Sequence, residues 1–168
     1  MLINVKFCDT IHASQLSKKY RSILSMSDTR AETNFQILHN QIVGDGSHDA
    51  SIVVGRLLNA LVFKSKLVGT AYLKEAVLYR YEQSDNARLS LTKDVYPAVA
   101  NKLDTTVNRV ERAIRNTIND CHVNGNLYAF NDLMRGEVIK PQYSPTNGEL
   151  ISSIASWLQL ERQQNYIK

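Results

Sequence analysis

Apolar residues recur along most of this chain at intervals of three and four, which places them on one side of an α-helix. Leu73, Val77 and Tyr81 form such a stripe between Thr70 and Glu82. Val95, Val99 and Ala100 form another between Thr92 and Leu103. Leu150, Ile154, Trp157 and Leu158 form a third, in a helix opened by Ser144-Pro145-Thr146 and running to Arg162. A further helix is expected from about Asp49 to Ser65. Thr92 is suited to cap one helix, and Thr105 or Thr106 to cap a longer one that runs to about His122 and stops at Gly125. Proline occurs only at Pro97, Pro141 and Pro145, and Gly69, Gly125, Gly136 and Gly148 stand at expected breaks.

The first 45 or so residues read differently. Leu2–Phe7 has the pattern of a short strand. Ile11–Met26 carries Leu16, Tyr20, Ile23 and Leu24 at helical spacing, and Phe35, Leu38 and Ile42 make a second short stripe. Gly44-Asp45-Gly46-Ser47 reads as a linker. The expected organisation is an N-terminal extension over residues 1–48 (a strand plus one or two helices), then an all-α domain over 49–168. That domain is a compact bundle of about six helices containing a helix-turn-helix.

The segment from Thr92 to Cys121 carries the chemistry. Two helices are separated only by Leu103-Asp104-Thr105-Thr106, the spacing of a helix-turn-helix. At about 100° per residue, Val107, Val110, Ile114, Ile118 and Cys121 share one arc of the second helix. Asn108, Arg109, Arg112, Arg115, Asn116 and Asn119 lie opposite, with Glu111 beside them. Arginine can donate two parallel hydrogen bonds to guanine, asparagine can pair likewise with adenine, and glutamate accepts from the cytosine amino group. Recognition helices read bases with their N-terminal half. Asn108, Arg109, Glu111 and Arg112 are therefore the expected base readers. Thr105, Thr106, Arg115, Asn116 and Asn119 are expected against the DNA backbone or flanking positions. A blander reading of the same face is a solvated surface with a Glu111–Arg115 ion pair at four-residue spacing.

Charge sharpens this picture. The chain's net charge is +4, yet residues 1–50 hold five basic and five acidic side chains, so the excess lies in the remainder. That placement suits a polyanionic partner of the second region. With 43% hydrophobic and 21% charged residues the composition is that of a folded domain. The longest apolar runs, near Ile52–Val54 and Leu57–Phe63, are interrupted by Arg56, Asn59 and Lys64. The start lacks the basic and apolar regions of a signal peptide. Cys8 and Cys121 are read as ordinary thiols of a reduced, cytoplasmic protein.

Leu103-Asp104-Thr105-Thr106-Val107-Asn108-Arg109-Val110-Glu111-Arg112-Ala113-Ile114-Arg115 resembles the recognition segment of the stage-zero sporulation protein A effector-domain family. Gly69-Thr70-Ala71-Tyr72-Leu73-Lys74-Glu75-Ala76 is similar to a helix of that family, and Leu91-Thr92-Lys93 through Tyr96-Pro97 to Ala100 to its first helix-turn-helix helix. Gly125-Asn126 and Pro145-Thr146-Asn147-x-Glu149 match later landmarks, so the resemblance runs from about Leu57 to Tyr166. It implies an all-helical effector domain that binds a short promoter box in double-stranded DNA, with Arg109, Glu111 and Arg112 facing bases and Arg115 and Asn116 near the DNA. Asn116 stands where the family commonly has histidine, and Asn108 where it has a small residue. The resemblance also implies a polymerase-contacting segment at about 124–136, with Asn126, Leu127, Tyr128, Asp132 and Arg135 meeting the RNA polymerase sigma factor, and head-to-tail homodimers on adjacent boxes.

Full members of that family carry a receiver domain of about 120 residues ahead of the effector. The 50 or so residues here are too few for one, so Asp9, Asp28 and Asp45 read as caps and turn residues. Enzyme readings find no footing: His12, His39, His48 and His122 have no metal-ligand spacing with the cysteines, and Cys121 and His122 diverge by about 100° on a helix. No catalytic residue, cofactor or metal is expected. Three readings stay open: a promoter-box transcription regulator, a DNA-binding accessory factor of a plasmid, phage or other mobile element that does not touch polymerase, and an interaction module that has lost DNA binding.

Overall fold

The computed structural model describes residues 32–44, 49–84, 86, 88–164 and 167. The expected strand over Leu2–Phe7, the helix over Ile11–Met26, residues 45–47 of the linker, and Asp9, Asp28 and Asp45 lie outside them. The chain divides into Met1–Asn34, of which only residues 32–34 are described, and a compact unit, Phe35–Lys168.

The described fold is all-α, without a β-strand among the described residues. Residues 32–42 form α1. There follow α2 (Ala50–Ala60), α3 (Val68–Glu82), a π-helical turn (Leu91–Val95), α4 (Tyr96–Lys102), α5 (Val107–Asn124), α6 (Ala129–Met134) and α7 (Asn147–Gln163). Helix α3 is the hub and packs against α2, α4, α5 and α7. Its inward residues are those of the predicted stripe: Leu73 and Val77 are fully buried and Tyr81 nearly so. Trp157, Phe130, Leu57, Leu61, Ile114 and Leu150 complete the core.

Several boundaries differ from expectation for identifiable reasons. Helix α2 stops at Ala60 rather than Ser65, because Val62 takes a left-handed conformation (φ 63°). The Leu61 carbonyl there accepts from the Asn126 amide (3.0 Å) and the Cys121 thiol (3.2 Å). These bonds stitch the end of α2 to the end of α5. The first helix of the helix-turn-helix is capped by Ser90, not Thr92. The Ser90 hydroxyl accepts from the Lys93 amide, and Asp94 reaches back to the Ser90 amide at 2.7 Å. Pro97 has no N–H to continue the ladder, and the preceding turn is wound wide, with Val95 and Tyr96 amides reaching Ser90 and Leu91 carbonyls.

Gly69 does not break a helix but lies within α3, where a Cβ would fall 2.1 Å from the Ala113 carbonyl oxygen and 2.2 Å from Thr117 Oγ1. Only glycine lets α3 and α5 approach this closely. The stripe Phe35, Leu38 and Ile42 packs onto the effector bundle: Ile42 is fully buried, and His39 Nε2 lies 2.8 Å from Glu161 Oε2 of α7, both side chains under 10% exposed.

The turn between α4 and α5 is closed by backbone bonds. Leu103 N–H donates to Val99, and Thr105 N–H to the Ala100 carbonyl at 2.9 Å. This wrap requires Asp104 at φ 48°, the left-handed position that ends many helices. A β-branched residue fits badly there. Asp104→Val is expected to cost about 1–2 kcal/mol, whereas Asp104→Gly holds or gains stability. Urea midpoints of the two variants check this, and equal midpoints would contradict the strained-turn account.

Candidate nucleic-acid interface

Helix α5 starts from Thr106, whose hydroxyl accepts from the Arg109 amide at 3.3 Å. Of the two threonines considered as caps, Thr106 serves, and Thr105 closes the turn. The inward face is as the periodicity predicts: Val110, Ile114 and Ile118 are fully buried and Cys121 is 1% exposed, with Val107 half-buried at the rim. Thr117 joins this face at 2% exposure, a position that the apolar pattern does not reveal. Asn108, Arg109, Glu111, Arg112, Asn116 and Asn119 are exposed, and Arg115 is half-buried.

The exposed residues fall into two groups. The side chains of Asn108, Arg109, Glu111, Arg112 and Asn116 make no hydrogen bond or ion pair with any described residue. The Glu111–Arg115 pair that the spacing allows does not form. Instead Arg115 Nη1 donates to the Pro145 carbonyl at 2.8 Å, and Asn119 Oδ1 accepts from the Ser144 hydroxyl at 2.8 Å. Both residues therefore tie α5 to the segment that leads into α7. Arg115 keeps further N–H groups for another acceptor, since a guanidinium carries five.

That segment ends in a firmly built helix start. Thr146 and Glu149 form a reciprocal capping box: Thr146 Oγ1 accepts from the Glu149 amide (3.2 Å), and Glu149 Oε2 from the Thr146 amide (2.7 Å). The donated Thr146 N–H, then its hydroxyl, hold the Glu149 carboxyl below the usual carboxylate range. The next residue, Asn147, is 5% exposed. Its Nδ2 donates to the Tyr96 hydroxyl and to the Glu111 carbonyl, each at 3.1 Å, so one amide joins α4, α5 and α7. Burial pushes the Tyr96 hydroxyl above its ordinary pKa, partly opposed by the Asn147 hydrogen bond. Glu111, Arg112, Arg115, Asn116 and Asn147 line an open cleft of about 310 Å³ beside the exposed face of α5.

Sequence reasoning did not single out Asn147, Ser144 or Tyr96 as parts of the site. The signal within reach was the threonine-x-x-glutamate box at Thr146 and Glu149, which marks a helix start. What that start touches depends on residues 36 and 51 positions away.

The segment after α5 is mixed. Asn126 is exposed, but Leu127 is fully buried, so its side chain belongs to the core rather than to a contact surface. The Tyr128 hydroxyl bonds to His122 Nε2 (2.9 Å) and the Pro141 carbonyl (3.4 Å). Asp132 is half-buried, and the exposed Arg135, at φ 49°, places its guanidinium 4.2 Å from the Phe35 ring centroid. Cys121 is buried beneath the helix end, and desolvation pushes its thiol up to about 12. Among the described residues, no group of three or more histidine, cysteine, aspartate or glutamate side chains could hold a metal ion. No described helix is long and apolar enough to cross a membrane.

A helix of exposed arginine and asparagine, capped at its start and joined by a four-residue turn to a preceding helix, makes this a helix-turn-helix domain. The chain belongs to the family described as sporulation initiation factor Spo0A C terminal, which matches residues 54–158. That family is one of DNA-binding effector domains, and the chain is a DNA-binding regulator at that level.

Proposed function

We propose that this protein is a sequence-specific transcription regulator that places α5 in the major groove of a short promoter box in double-stranded DNA. Asn108, Arg109, Glu111 and Arg112 read bases, and Thr105, Thr106, Arg115, Asn116 and Asn119 meet the backbone or flanking positions. The observation that carries this is the division of labour on α5. The four N-terminal side chains are exposed and uncommitted, while Arg115, Asn119 and the Glu111 carbonyl are bonded to the 144–147 segment and hold the helix at a fixed pitch. Preorganised donors on a rigid element are what base readout needs.

The same reading extends to partners. Asn126, Tyr128, Asp132 and Arg135 form the surface offered to the polymerase sigma factor, and two copies bind adjacent boxes head to tail. Part of the segment ahead of residue 49 packs on the domain through Ile42 and His39, the residues further upstream serve dimerisation or docking, and the protein works in the cytoplasm.

Fluorescence anisotropy against a duplex carrying the family's box and a scrambled duplex, at two salt concentrations, tests the reading. The expected result is at least a ten-fold preference for the box, equivalent to about 1.4 kcal/mol. Arg112→Ala is expected to cost about 1–3 kcal/mol on the box and to relax sequence preference there. An equal loss on both duplexes would refute base reading by Arg112. Equal, steeply salt-dependent binding of the unaltered protein to both would leave a generic DNA binder. Transcription from a box-bearing promoter then separates a regulator from an accessory factor that ignores polymerase.

A further inference from the structure

A second cleft, of about 110 Å³, lies between the C-terminal half of α3 and the middle of α7. Arg80 and Ser84 line it from the α3 side, and Ser152, Ala155, Ser156 and Gln159 from α7. No carboxylate lines it. Arg80 Nη1 is buried and has no hydrogen-bond partner, and the side chains of Arg80, Ser84, Ser152 and Ser156 engage no described residue. Ser152 and Ser156, four residues apart on α7, present their hydroxyls on one face. Gln159 closes the floor, and its Nε2 donates to the Tyr81 carbonyl at 2.9 Å.

A buried guanidinium N–H without an acceptor is costly, and no hydroxyl or amide oxygen of the lining lies within hydrogen-bond distance of Arg80 Nη1. The missing component is an acceptor with several lone pairs and negative charge. A tetrahedral oxyanion supplies both, and arginine flanked by hydroxyls is a donor set suited to it. The carbonyl end of α3 is nearby and disfavours an anion, but Arg80 sits in that last turn and Gln159 occupies the Tyr81 carbonyl.

We propose that this cleft binds a phosphate group through the Arg80 guanidinium and the hydroxyls of Ser84, Ser152 and Ser156. The volume admits one such group with the remainder of a larger molecule outside. The phosphate can belong to a free phosphate species or to the DNA backbone. Ser152 and Ser156 lie about 8–14 Å along α7 from Asn147 at the recognition face, which suits either source. The site stands apart from the base-reading proposal and does not depend on it.

The test uses the full chain with inorganic phosphate as probe, against chloride at matched ionic strength. A ligand that binds only the folded state raises Tm in a concentration-dependent way. A free-phosphate site predicts this rise for the unaltered protein and its loss in Arg80→Met, with DNA affinity and its salt dependence unchanged. A backbone-phosphate site predicts that Arg80→Met makes the salt dependence of DNA binding shallower by about one contact. Ser156→Asp, at an exposed helix position, puts a carboxylate into the cleft beside Arg80. It is expected to raise Tm without phosphate and to abolish the phosphate response, which keeps the test intact should Arg80→Met fold poorly. The proposal is overturned by a phosphate response that survives in both variants, or by no response together with an unchanged DNA salt dependence.

Discussion

Replacing Gly69 by alanine is expected to lower stability by about 3 kcal/mol, although alanine is the better helix former by up to about 1 kcal/mol. The new methyl group would stand 2.1 Å from the Ala113 carbonyl oxygen, 2.2 Å from Thr117 Oγ1 and 2.6 Å from the Ala113 carbonyl carbon. Two of these atoms are backbone, so no rotamer change relieves the overlap, and α3 and α5 must move apart. Because α3 packs against α2, α4, α5 and α7, the separation opens the core on several sides. Urea denaturation of Gly69→Ala measures it. A midpoint equal to or above that of the unaltered protein would show that the close approach is not what fixes these helices. DNA binding is expected to weaken with stability, since α5 is the element displaced.

The second large effect concerns the buried pair formed by His39 and Glu161. His39→Leu is expected to cost about 3–5 kcal/mol, because it leaves the Glu161 carboxylate, 6% exposed, without its partner. The double variant His39→Leu/Glu161→Met should recover most of that loss, since apolar side chains of similar size replace a buried hydrogen-bonded pair at little cost. A double variant as unstable as the single one would instead assign the effect to packing. His39 and Ile42 both precede the family match at residues 54–158, so a fragment beginning at residue 49 is expected to unfold at lower denaturant than the full chain.

Much of this protein was legible in its sequence. The stripes at three and four residues located α1, α3, α4, α5 and α7, because side chains on one helical face must share one environment, and the helix expected from Asp49 covers α2. Helix α6 spans only six residues, Ala129–Met134, too short for a repeating stripe. The sorting of α5 was readable for the same reason: an 18-residue helix gives its apolar and polar faces room to separate. So were the exposed Asn108, Arg109, Glu111 and Arg112, and the family resemblance that rests on them.

Features that depend on a distant partner needed the tertiary structure. Gly69 looks like a break until Ala113 is seen against it. Arg115 reads as a solvated or DNA-facing cation, and its bond to the Pro145 carbonyl is not visible in the sequence, because a helical wheel gives the direction of a side chain but not what waits there. Ser90, rather than Thr92, became the cap where the chain winds wide ahead of Pro97. Asn147 and the His39–Glu161 pair join residues 36, 51 and 122 positions apart. Local pattern therefore determined which residues face inward and which face outward on α5. Long-range packing decided which outward residues are bonded to other elements and which are left uncommitted, because hydrogen-bond partners are chosen by proximity in space and not along the chain.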